Sequence, residues 1–149
     1  MKLTEKEILE VVPIRKPMLC IDEICDVEFG QSVVGARYIS KEEYWADCHF
    51  VTKSIFPGTL IIETMAQISA FMFYKRHNPI ELKSYLGKVD KMRFIKKIVP
   101  ECKMIVKADL IEKIDRIAKI RCKAYVDNDL MASGEVTLYF ENDEVLASK

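Results

Sequence analysis

The chain has no excess charge of either sign: 23 Lys and Arg stand against 23 Asp and Glu in 149 residues. Without a global positive field, no nucleic-acid partner is expected. Structure breakers are few, five Gly and five Pro, and they are scattered, so no flexible linker divides the chain. No segment repeats at a fixed period, and this length predicts one domain over 1–149. CxxC pairs are absent, and Cys20, Cys25, Cys48, Cys102 and Cys122 are odd in number. Neither a disulfide framework nor a metal site is signalled, and packed, reduced thiols are expected. The longest uncharged stretch of the most apolar region, Thr64 to Tyr74, has 11 residues, against about 20 needed to cross a bilayer. The N-terminus, MKLTEKEILEVVPIRK, alternates charge with apolar residues and lacks the apolar run of a signal peptide. A cytoplasmic protein with no membrane partner is the expectation.

What the chain does have is apolar content, half of its residues, enough for a large core. Thr4 with Glu7 three residues later is a capping-box pattern and predicts a short helix over 4–11, closed by Pro13. Segments 18–27 and 32–39, separated by Glu28-Phe29-Gly30-Gln31, read as a strand hairpin. From Gly58 to His77 the chain is apolar almost all round, which predicts one long buried helix with Lys75, Arg76 and His77 at its C-terminal end. Four further strands are predicted at 86–96, 102–111, 116–126 and 131–140, antiparallel because their joins are short. Ile120, Cys122, Ala124 and Val126 alternate with polar neighbours, as do Val136, Leu138 and Phe140, so one face is buried and the other wet. About six strands and one apolar helix point to an α+β packing in which a curved sheet covers the helix.

Thr59, Glu63 and Gln67 recur every four residues and share one stripe of that helix. A carboxylate in a buried helix is costly unless it is paired, hydrogen-bonded or held neutral. Read alone, Glu63 has a plainer explanation, a stripe that reaches solvent, and His49 is an ordinary loop histidine. Taken together they differ from either alone. His49 lies in a loop that leads directly into the Glu63 helix, and a base beside an acid is what proton abstraction and delivery require. Phe56-Pro57-Gly58 enters the same helix, where the Gly58 N–H and the helix dipole can polarise a carbonyl oxygen. Cys48 is read as packing, Tyr44 and Trp45 as core or, less commonly, as the lining of a pocket, and Asp47 as a turn residue. Lys75, Arg76, Lys91, Arg93, Lys96 and Lys97 are read as a solvated face or, more sharply, as a docking patch for an acidic partner.

His49-Phe50, Pro57-Gly58 and Glu63-Thr64-Met65-Ala66-Gln67 stand at the spacing of the FabZ-type 3-hydroxyacyl carrier-protein dehydratases, which the chain resembles over most of its length. Pro13-Ile14-Arg15-Lys16-Pro17 running to Asp22, and Asp90-Lys91-Met92-Arg93-Phe94 followed by Val99-Pro100, resemble two more stretches of that family. Departures are Val51-Thr52 where the family usually writes Pro-Gly, Lys53-Ser54 where Asn-Pro is common, Ile14 before Arg15, and Glu101 after Pro100.

The resemblance implies a hot-dog fold and the reversible loss of water from a (3R)-3-hydroxyacyl thioester in type II fatty acid synthesis, with no cofactor. It implies that His49 takes the C2 proton, Glu63 assists the departing hydroxyl, Gly58 N–H stabilises the thioester oxygen and Gln67 orients Glu63. The implied partner is acyl carrier protein, with docking through Lys91, Arg93, Lys96 and Lys97. Also implied is a homodimer whose sites take His from one protomer and Glu from the other, built up in several members to a hexamer. Two other activities compete. A hot-dog thioesterase would not need His49, and a dehydratase that also isomerises its product typically carries Asp in place of Glu63. A non-catalytic acyl-binding module would tolerate loss of both.

Overall fold

The computed structural model describes residues 1–147. Thr4 N–H donates to Glu7 Oε2 at 2.8 Å and Glu7 N–H donates to Thr4 Oγ1 at 3.2 Å. This capping box starts α1 (Glu5–Val11) where the spacing places it. A hairpin of β1 (Glu23–Glu28) and β2 (Ser32–Ile39) follows, then α2 (Gly58–Ala70) and a 3-10 turn over Phe71–Phe73. Four more strands follow: β3 (Ser84–Phe94), β4 (Cys102–Ile114), β5 (Ile117–Val126) and β6 (Asp129–Phe140).

All six strands form one antiparallel sheet in the order β1-β2-β4-β5-β6-β3. β2, β3, β4, β5 and β6 all touch α2, so the sheet curves around the helix. Ala118, Ile120, Cys122 and Ala124 are buried against it while Arg121 and Lys123 face out, as the alternation predicts. At the β5–β6 turn Asp127 and Asn128 take φ of 49° and 68°, values that suit a two-residue hairpin turn matching strand twist. Ile68 packs so closely over β2 that a Cβ on Gly35 would lie 2.8 Å from its Cγ2. Each fully buried side chain of this size contributes about 1.5–3 kcal/mol.

Several expectations need correction. The strand predicted from residue 18 begins only at Glu23, because the backbone of Met18 and Cys20 is bonded to the Gln67 side chain instead of to a neighbouring strand. The long helix stops at Ala70 rather than His77, where the Met72 carbonyl turns away to accept from Gly30 N–H at 3.0 Å. Lys75, Arg76 and His77 therefore cap no helix; Arg76 pairs with Glu7 at 3.1 Å, and His77 is exposed. β3 lies two residues earlier than predicted, which leaves Ile95 and Lys96 beyond its end. Trp45 is core, Tyr44 is exposed and lines a surface pocket instead, and Cys48 is exposed and does not pack. Glu135 points to the wet face yet is buried there, with Lys91, Lys119 and Arg121 at 3.9, 3.5 and 3.7 Å.

Candidate active site

Between β2 and α2, residues 40–57 form neither helix nor strand. Successive turns carry the chain: Glu43 N–H to Ser40 O at 3.3 Å, Ala46 N–H to Glu43 O at 3.0 Å, and His49 N–H to Trp45 O at 2.9 Å. His49 is half-buried, and its Nδ1 lies 2.9 Å from the Ile55 carbonyl oxygen. A carbonyl oxygen only accepts, so this bond puts the proton on Nδ1 and leaves the Nε2 lone pair free. Ile55 N–H returns a bond to His49 O at 2.7 Å.

Pro57 is the N-cap of α2, with φ of −60°, and Gly58 is its first helical residue. An N–H in that first turn has no intrahelical acceptor and sits at the positive end of the dipole. The Phe94 ring covers Gly58, where a Cβ would come within 3.2 Å of Phe94 Cε1, so the end of β3 meets the start of α2. His49, Gly58 and residues 94–98 line one cavity of about 360 Å³, and Lys96 and Lys97 stand on its wall.

Along α2 the stripe Thr59, Glu63, Gln67 passes from exposed to half-buried to buried. Gln67 Nε2 donates to Glu63 Oε2 at 2.7 Å and to Met18 O at 2.9 Å, while its Oε1 accepts from Cys20 N–H at 2.7 Å. The Cys20 N–H fixes which end of the amide faces Glu63. Because Oε2 accepts, Oε1 is the oxygen left to carry an acid proton. Glu63 and Gln67 line a second cavity of about 340 Å³ whose other walls include Ala66, Ala70, Leu82 and Leu86. Within one chain, then, His49 and Gly58 share a cavity, Glu63 and Gln67 share another, and the two pairs do not meet in either.

The anticipated docking residues divide as well. Lys91 and Arg93 lie on the outer face of the sheet with Arg121 and Lys123, while Lys96 and Lys97 belong to the His49 cavity. The clamp of Met18 and Cys20 on Gln67 was not readable from sequence. Its one trace is a buried stretch, Leu19-Cys20-Ile21, that follows Pro17 without becoming a strand. Among the described residues no cluster of His, Cys, Asp and Glu is gathered as a metal would require. No described helix is long and apolar enough to cross a membrane.

An antiparallel sheet wrapped around one helix, with a histidine in the loop before the helix and a carboxylate on it, defines a hot-dog-fold protein of the dehydratase type. Residues 12–135 match the FabA-like domain family, and the chain belongs to that family, among its FabZ-type dehydratases. A protein named 3-hydroxyacyl-[acyl-carrier-protein] dehydratase FabZ from Clostridium botulinum is 34% identical over 131 residues, covering 87% of this chain and 90% of that one. Its namesake from Bacillus cytotoxicus is 30% identical over 135 residues, 91% and 94% of the two chains. The solved dehydratase heterocomplex ApeI:P from Xenorhabdus doucetiae shares the fold, with a TM-score of 0.76 at 15% identity over 93% of each chain.

Proposed function

We propose that the protein is a cytoplasmic hydro-lyase of type II fatty acid biosynthesis that interconverts (3R)-3-hydroxyacyl and trans-2-enoyl thioesters held on acyl carrier protein. One hot-dog domain carries the activity. The observation that carries this reading is the placing of the two half-sites at opposite ends of β3. Glu63 shares its cavity with residues 82–86, at the start of the strand, and His49 shares its own with residues 94–98, at the end. β3 pairs only with β6 among the described residues, and its free edge exposes Tyr85, Leu86, Val89 and Phe94. A long unpaired edge strand that exposes four apolar side chains calls for a partner. When two copies pair β3 antiparallel about a twofold axis, the start of one strand lies beside the end of the other. The Glu63 cavity of one copy then abuts the His49 cavity of its partner, which makes two complete sites per homodimer.

In each such site the electrons balance without a cofactor. His49 Nε2 takes the C2 proton, and the C2–H pair becomes the C2=C3 double bond. The C3–O bond breaks, and the hydroxyl leaves as water with the proton of Glu63 Oε1. Charge that builds on the thioester oxygen during proton removal meets the Gly58 N–H and the α2 dipole. Hydration is the same path reversed. The cations at the cavity wall, Lys96 and Lys97, and those on the outer face, Lys91 and Arg93, suit an acidic carrier protein by charge. Assembly of three dimers is the further expectation, read by sedimentation.

The test is hydration of crotonyl thioesters on acyl carrier protein, N-acetylcysteamine and coenzyme A, followed by loss of enoyl absorbance. His49→Ala and Glu63→Gln should each lower the rate at least about 10²-fold. An inactive wild type, or thioester hydrolysis that survives His49→Ala, overturns the reading.

A further inference from the structure

β2 carries an arginine where the sheet faces the core. Arg37 is only 4% exposed, between the buried Ala36 and the exposed Tyr38. Its Nη2 donates to Glu43 Oε1, and its Nε has no partner among the described residues. Burying an ion pair costs several kcal/mol of desolvation, and well-packed apolar side chains in its place are often neutral or stabilising. Stability alone therefore gives no reason to keep a charge here.

What the guanidinium touches gives a reason. Glu43 Oε2 accepts from Ser40 N–H at 3.0 Å, and Glu43 O accepts from Ala46 N–H, so Glu43 anchors the turns that run through Trp45 O to His49 N–H. On its other side the guanidinium lies over the Phe56 ring, 5.1 Å from the centroid. Phe56 is held edge-on by Trp45 at 5.2 Å and by its N–H to Ile98 O at 2.8 Å, and it directly precedes Pro57-Gly58. One planar group thus grips both arms of segment 40–57, the arm that ends at His49 and the arm that ends at Gly58. A flat cation that donates to a carboxylate from its edge while its face lies over an aromatic ring is an arginine property that lysine only half reproduces.

We propose that Arg37, through Glu43 and Phe56, is a positioning residue that sets the spacing between the His49 base and the Gly58 N–H; this inference rests on the dehydratase reading. It lines neither the His49 cavity nor the Glu63 cavity. Its loss lets the two groups drift relative to each other, and a misplacement of about 1 Å can cost about 10²-fold in rate.

The experiment compares wild type, Arg37→Lys, Arg37→Met, Glu43→Gln and the double variant Arg37→Met/Glu43→Leu in crotonyl-thioester hydration, with kcat, KM and Tm for each. The double variant fills the site with apolar groups and keeps the melting temperature at or above wild type if the pair is dispensable for stability. Its kcat should nevertheless fall about 10²-fold with KM within about threefold, and Arg37→Lys should recover to within about tenfold of wild type. A double variant whose kcat returns together with its Tm shows a merely structural pair and overturns the inference. So does a folded Arg37→Met or Glu43→Gln with kcat within about twofold of wild type. Those outcomes leave the dehydratase reading standing. A wild type inactive on every thioester overturns that reading and this inference with it.

Discussion

Between β4, β5 and β6 the chain is held by continuous antiparallel pairing, each pair of strands broken by a single shift of register. Segment 40–57 is held by isolated turns, a few side chains and one ion pair to the buried Arg37. The first region owes its order to many small, interchangeable contributions, the second to a handful of specific ones. Strands built in the first way carry the fold; a loop built in the second way can place a histidine and a helix N-terminus where chemistry needs them.

The largest expected effect lies in the sheet. Phe140, 2% exposed and packed edge-on against Phe73 at 5.4 Å, lines neither half-site. Phe140→Ala should cost about 3–5 kcal/mol of stability in urea unfolding while the folded fraction keeps kcat within about twofold of wild type. A large fall in kcat per folded molecule would break the division between regions.

Gln67 joins the two worlds, buried on α2 yet bonded to Glu63. Gln67→Leu should destabilise by about 1–3 kcal/mol, since Cys20 N–H and Met18 C=O lose their partner. It should also lower kcat more than it raises KM, because Glu63 is left free to turn. Stability lost with kcat unchanged would show that the clamp serves only the fold.

Thiol labelling gives the smallest and most local contrast. Burial pushes the Cys122 thiol up to about 12 and also pushes Cys20 upward, because desolvation disfavours the thiolate. At pH 9 Cys122 therefore remains protonated. Exposed Cys48, in the loop, should react at once with a disulfide reagent, and Cys122 and Cys20 only on unfolding. Equal rates for all three would contradict the packing described for α2 against β5.

Legibility in the sequence follows the same line. Alternation in β5 and β6 is a repeating signal, so spacing alone places Ile120, Cys122 and Val136 in the core. The end of α2 was not readable, because Phe71 to Tyr74 continue the apolar pattern and only the tertiary bond from Gly30 to Met72 turns the chain. Met18 to Ile21 look like a strand and are not one, since the Gln67 side chain takes the Met18 carbonyl and the Cys20 N–H. His49 and Glu63 stood out as chemistry, but sequence offers no distance, and their separation into two cavities needed the register of β3. Arg37 is not legible as a buried residue, because a charge in an alternating strand reads as facing water.

The central claim is that each site is shared between two copies, and mixing two dead variants tests it most directly. His49→Ala and Glu63→Gln, each inactive alone, are unfolded and refolded together and assayed on crotonyl thioester. Random pairing makes half of the dimers mixed, and each of these holds one intact site of two, so activity should return to about a quarter of the wild-type value. Mixed dimers that form and remain as inactive as either parent would contradict the shared site.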